Sequence, residues 1–110
     1  LAKTENWLNK YGDQINAIVS NNDDMALGAV QALKDAGRKN ILLVGVDATP
    51  DGLAALEAGD ISATVFQDAD GQGGGAVEAA KKAVKGETLE KETWVPFKLV
   101  TPENIKDFKK

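Results

Sequence analysis

The side chains in this sequence best suited to hold a small molecule are two amides and a carboxylate: Asn22, Asp47 and Gln67. Each stands just past an apolar run: Asn22 after AIVS, Asp47 after ILLVGV, Gln67 after SATVF. A carboxylate accepts two hydroxyl hydrogens, and each amide offers an acceptor and two donors. Together they could fix the hydroxyl pattern of an uncharged polyol without a metal or a catalyst. Asn and Asp in such positions also cap the helices that follow, so capping is the alternative role for each.

The stretch VFQDADGQGGGAVEAA raises two other chemistries. In a calcium loop beginning at Asp68, Asp70 and Gly73 would fall where a ligand and the turn glycine are needed. The fifth position, however, is Gln72, and the twelfth, which requires a bidentate Glu, is Ala79. Gly71 to Ala76 satisfy the loose glycine pattern of a dinucleotide loop. That loop should open directly off a strand and precede an acid at the end of a second strand. Here Gln67 to Asp70 intervene, the next strand ends near Lys98, and Asp68 and Asp70 would repel a pyrophosphate. The remaining reading is that the glycines bend the chain into a helix starting at Ala76 while one polar residue, Gln67, touches a ligand.

No Walker lysine follows the glycines, and no GxSxG is present. The chain has neither cysteine nor histidine. Thiolate chemistry and disulfides are thereby excluded, and the commonest general base and metal ligand are missing. The expectation is binding without catalysis, cofactor or metal. With 13 basic and 17 acidic residues in 110, and no basic stripe, nucleic acid is not an expected partner. No run is long enough to span a membrane.

These residues need a scaffold, and the pattern supplies one. TENWLNKY (4–11) reads as a short helix with Thr4 at its N-cap and Trp7 in the core. INAIVS (15–20) is a short strand. From Asp23 to Ala36, apolar residues at 26, 29, 30 and 33 give a helical stripe. Asp23 and Asp24 there complement the positive end of the dipole, and Gly37 ends the helix. NILLVGV (40–46) is apolar without alternation, as in a strand buried on both faces of a parallel sheet. Pro50 opens a helix through Ala58, closed by Gly59, and ISATVF (61–66) is the next strand. The helix from Ala76 runs to Lys85 and stops at Gly86. TWVPFKLV (93–100) is a last extended segment, with Pro96 marking an edge strand or a crossing between two bodies. PENIKDF forms a terminal helical turn. This βαβαβαβ order predicts a doubly wound α/β fold, in which ligands bind beyond the carboxyl ends of the strands.

Three segments, SNNDDMALGAVQALKDAG, ILLVGVDATPDGLAALEAGDISATVFQD and the helix after them, are together similar to the C-terminal third of periplasmic sugar-binding proteins. These are type I solute-binding proteins of ABC importers, and the nearest patterns are the galactose/glucose, ribose and inositol or rhizopine receptors. The joint spacing of NDDMALG, GVDATPD and ATVFQD carries the resemblance, which extends from Trp7 through Val100. It implies a periplasmic-binding-protein-like I fold, a partial Rossmann-like doubly wound sheet. Two lobes joined by three crossovers would close on one monosaccharide or cyclic polyol.

Carried over by motif, Asn22, Asp47 and Gln67 are the sugar-contacting positions of the C-terminal lobe and hinge. Residues 1–67 would belong to that lobe. Residues 68–98 would hold the hinge crossover with a helix and strand that pack on the N-terminal lobe, and 99–110 would be the terminal return. The family's aromatic stacking residues lie on the N-terminal lobe, so Tyr11 and the Phe residues are read as core. Some galactose-type relatives hold calcium through an earlier loop and an acid ahead of NND. This chain has Asn16 in that strand, and no metal is implied.

The resemblance implies an ABC permease as partner, and location in the periplasm or, for a lipoprotein, at the outer face of the cytoplasmic membrane. The alternative is the effector-sensing core of a LacI-type regulator. The chain opens mid-pattern at Leu1-Ala2-Lys3 without Met, so a piece of a longer protein is expected. Its uncovered apolar surface would then favour self-association.

Overall fold

The computed structural model describes residues 1–109. The chain forms two compact units. One comprises Leu1–Phe66 and the returning segment from Lys98, and the other Gln67–Phe97.

In the first unit, helix α1 (Ala2–Tyr11) leads through a 3-10 turn (Gly12–Gln14) into strand β1 (Ala17–Val19). Helix α2 (Asp23–Asp35), β2 (Leu42–Val44), α3 (Pro50–Glu57) and β3 (Thr64–Phe66) follow, and β4 (Lys98–Val100) and a 3-10 turn (Ile105–Asp107) complete it. Strands β1 and β2 pair in parallel, with Ile18 opposite Leu43. Parallel bridges Val44–Ala63 and Asp47–Phe66 extend the order to β3. The architecture is α/β around a parallel sheet.

Strand β4 runs antiparallel to β3, with Thr64 opposite Val100 and Phe66 opposite Lys98. The strand expected over 93–100 is therefore shorter: residues 93–97 belong to the second unit and form no ladder. Pro96 among them has no N–H to give one.

The helices end as the sequence indicates. Gly37 has φ of 65°, Arg38 N–H donates to Leu33 O (2.8 Å) and Gly37 N–H to Lys34 O (3.0 Å). This paired closure satisfies carbonyls at the helix end and needs a left-handed residue. The same pair of bonds closes α3 at Gly59.

One buried cluster joins Ile18 and Leu43 to Ala26, Ala29, Val30 and Leu33 of α2, with Ala55 and Ile61. A second joins Leu53 and Leu56 of α3 to Val100 and Ile105, and the Phe66 and Phe108 rings meet beside it at 5.3 Å. Each buried Leu, Ile or Val contributes about 1.5–3 kcal/mol relative to exposure.

Three expectations are corrected here. Strand β2 is not buried on both faces. Leu43 faces the helices, but Leu42 is 62 % exposed, and Val19 in β1, opposite Val44, is 78 % exposed. Trp7 is not core: it is 41 % exposed and shares a shallow groove with Tyr11, Ile15 and Val19. Thr4 caps nothing, because α1 starts at Ala2 and Thr4 is buried within its first turn.

The second unit is built on α4 (Ala69–Val84), and its glycines are not a bend. Gly71, Gly73, Gly74 and Gly75 all lie inside the helix, none with positive φ. Asp68 starts the helix, its carboxylate accepting the Gly71 N–H at 2.9 Å. That cap offsets part of the roughly 1 kcal/mol each glycine costs relative to Ala. No residue of α4 is buried, and Trp94 beyond it is 83 % exposed. Among the described residues, no helix is long and apolar enough to cross a membrane.

Candidate functional site

The site grows from the carboxyl ends of β1 and β2. After β1 the chain reaches Asn22 in extended conformation and enters α2 with Asn22 as N-cap. Its Oδ1 accepts the Met25 N–H at 2.9 Å. Capping and ligand binding are compatible here, because the cap occupies only the oxygen. The Nδ2 group, with two donors, makes no hydrogen bond to any described residue.

Beyond β2 the Asp23 N–H donates to Val46 O at 2.8 Å. Asn22 precedes the donor residue and Asp47 follows the acceptor residue, so one backbone bond brings the two positions together. Asp47 caps no helix; the cap of α3 is Thr49, whose hydroxyl accepts the Gly52 N–H at 3.1 Å. Asp47 has φ of 111° and Ala48 φ of 52°. These are the only residues other than glycine with positive φ among those described. Such conformations cost on the order of 1–3 kcal/mol each and persist only where the surroundings enforce them.

The enforcement is visible. Asp47 N–H donates to Val65 O at 2.7 Å, and Ala48 N–H to Thr64 Oγ1 at 3.3 Å. Thr64 Oγ1 in turn donates to Asp23 Oδ1 at 2.7 Å, while Thr49 N–H donates to Asp23 Oδ2 at 2.8 Å. Asp23 is fully buried. A Cβ on Gly45 or Gly52 would fall on its carboxyl group, so both glycines are space for Asp23.

This network is what the sequence reading missed. The local pattern places Asp23 only at the positive end of the helix dipole and gives Thr49 and Thr64 no role. An acid at the first position of a helix ordinarily faces water. Its burial depends on Thr64, 41 positions later, and on two distant glycines, none of which leaves a periodic signal.

Gln67 opens the second unit and directly follows Phe66, the bridge partner of Asp47. Its carbonyl accepts the Ala69 N–H at 3.0 Å, and the cap of α4 is Asp68, not Gln67. The segment Asp68–Ala79 is cap and helix, so the acids of the supposed calcium loop do not lie in a loop. Among the described residues no group of three acidic or other metal-ligating side chains is gathered around a common point.

A family model described as a periplasmic binding protein domain matches residues 1–88. The chain belongs to this family. It is 50 % identical over 105 residues to a putative rhizopine-binding protein of Rhizobium meliloti, covering 94 % of this chain and 34 % of that protein. It is 42 % identical over 96 residues to the ribose import binding protein RbsB of Escherichia coli (strain K12), covering 87 % of this chain and 32 % of that one.

Among solved structures it resembles an ABC transporter solute-binding protein from Bacillus halodurans C-125 with bound myo-inositol. The TM-score is 0.90 at 46 % identity, covering 97 % of this chain and 37 % of that one. The chain thus spans about a third of the length of the curated relatives it matches. The fold is of the type I periplasmic-binding-protein class in partial form, and these similar proteins are binding proteins rather than enzymes.

Proposed function

We propose that this chain is part of the substrate-binding component of an ABC importer, and that it binds a monosaccharide or cyclic polyol without chemical change. Asn22, Asp47 and Gln67 are the ligand contacts. The observation that carries this reading is the pair Asn22 and Asp47, joined across the Asp23–Val46 bond at the carboxyl ends of parallel strands. Asn22 keeps an amide donor group for a hydroxyl oxygen, and Asp47 sits on a backbone held in an unusual conformation. Gln67 enters by its place one residue beyond β3.

The similar proteins named above are named for rhizopine and for ribose import or hold bound myo-inositol, and these polyhydroxylated compounds support the ligand class. They also favour the receptor over a LacI-type regulator. In the full-length protein, contacts from two lobes would stabilise a closed state by population shift. That state would be presented to a permease at the periplasmic side of the cytoplasmic membrane, with or without a lipid anchor.

Titration calorimetry of the full-length protein against myo-inositol, ribose, galactose, NAD and ATP tests the reading. Saturable binding of at least one polyol, with no heat from the nucleotides, is expected. Binding of a nucleotide and of none of the three polyols would overturn it.

A further inference from the structure

We propose that Asp23 is a positioning residue for the ligand site: its buried carboxylate holds the Asp47–Ala48 backbone in left-handed conformation and so sets where the Asp47 side chain is presented. The inference rests on the reading of Asp47 as a ligand contact. Asp23 itself is fully buried. Its two oxygens grip the loop on both sides of Ala48. Oδ2 takes the Thr49 N–H, and Oδ1 takes the Thr64 hydroxyl, which receives the Ala48 N–H.

The same residue fixes the other contact. Asp23 N–H is bonded to Val46 O, and Asp23 follows the Asn22 cap directly in the chain. One residue therefore links the N-terminus of α2, the β2–α3 loop and β3. Gly45 and Gly52 leave room for its carboxyl group, since a Cβ on either would collide with it.

Helix start and loop could each form with ordinary geometry. A short chain from β2 to α3 with negative φ at residues 47 and 48 is what L-residues prefer. Two consecutive left-handed residues without glycine require a force that outweighs that preference, and the hydrogen bonds to Asp23 and Thr64 are placed to supply it. Pre-organisation of this kind raises affinity by removing the ordering cost at binding.

The test uses the full-length protein and four variants: Asp23→Asn, Thr64→Val, Ala48→Gly and the double variant Asp23→Asn with Ala48→Gly. Two readouts are combined, polyol affinity by calorimetry and the backbone amide and Cα signals of residues 47 and 48 by NMR. Asp23→Asn is expected to weaken binding by roughly tenfold or more and to move the signals of residues 47 and 48 away from left-handed values. Ala48→Gly alone leaves affinity near wild type. In the double variant glycine adopts the left-handed conformation at 48 without enforcement, Asp47 still lacks that enforcement, and part of the lost affinity returns.

A structural role alone would not produce that rescue. If Asp23→Asn does not fold, Thr64→Val, which cuts only the relay to Ala48, is expected to give the same shift at 47 and 48. Folded variants with wild-type affinity and unchanged signals at 47 and 48 overturn the proposal, as does a double variant that recovers nothing. If the wild type binds no polyol, the functional reading fails. The NMR signals, which need no ligand, then decide the positioning role separately.

Discussion

Replacing Gly52 by Ala separates helix propensity from packing, because the two predict opposite signs. Gly52 lies in α3, where Gly→Ala ordinarily stabilises by up to about 1 kcal/mol. Here the added Cβ would overlap the Asp23 carboxylate, lying 2.5 Å from its Cγ and 2.9 Å from its Cβ. Asp23 has nowhere to retreat, since it is fully buried and Gly45 packs against its other oxygen. The carboxyl must swing away from the Thr49 N–H, and a hydrogen bond to a buried charged group is worth about 1.5–3 kcal/mol.

Residual overlap adds to that loss, so a net destabilisation of roughly 2–4 kcal/mol is expected despite the gain in propensity. Equilibrium urea unfolding measures it, with Ala54→Gly on the exposed side of the same helix as calibration. That variant reports propensity alone and should cost at most about 1 kcal/mol. A Gly52→Ala protein as stable as wild type, or more stable, would refute the account of Asp23 as a confined, fully bonded carboxylate.

Two further outcomes follow from the site and the surface. Asp47→Gly removes the carboxylate while accepting a φ of 111°, so it isolates the contact from the backbone. Calorimetry on the full-length protein should show polyol affinity weakened by about 1–3 kcal/mol per lost partner, and unchanged affinity would remove Asp47 from the site. The 110-residue chain by itself should associate, because Val19 and Leu42 on β1 and β2, and Trp94 and Phe97 in the second unit, are exposed. Light scattering that gives a monomer mass at high concentration would contradict this.

Much of the scaffold is legible because it is local. The stripe at 26, 29, 30 and 33, the stops at Gly37 and Gly59 and the Pro50 helix start are all read within a few residues of themselves. The strand-end positions Asn22, Asp47 and Gln67 follow from the alternation of elements. The misreadings have a common cause, the weight given to residue type over context. Glycines at 71, 73, 74 and 75 signal a bend, yet with Asp68 to cap them they take up helix. The apolar run at 40–46 signals burial on two faces. The helices of this chain cover only the Leu43 side, and Leu42 is left open.

Asp23 is the case where local reading had least to offer. Its partners are Thr49 and Thr64, and the space it fills is defined by the absence of side chains at 45 and 52. The left-handed pair Asp47–Ala48 is likewise unreadable, because neither residue is the glycine that such φ values favour. Both lie on the tertiary level, where distant segments decide a local conformation.

The most direct test of the central claim is a high-resolution crystal structure of the full-length protein with the polyol identified by calorimetry. The account predicts ligand hydroxyls within hydrogen-bond distance of Asn22 Nδ2, the Asp47 carboxylate and the Gln67 amide, with residues 47 and 48 still at positive φ. A polyol bound elsewhere, with none of these three side chains in contact, would contradict it.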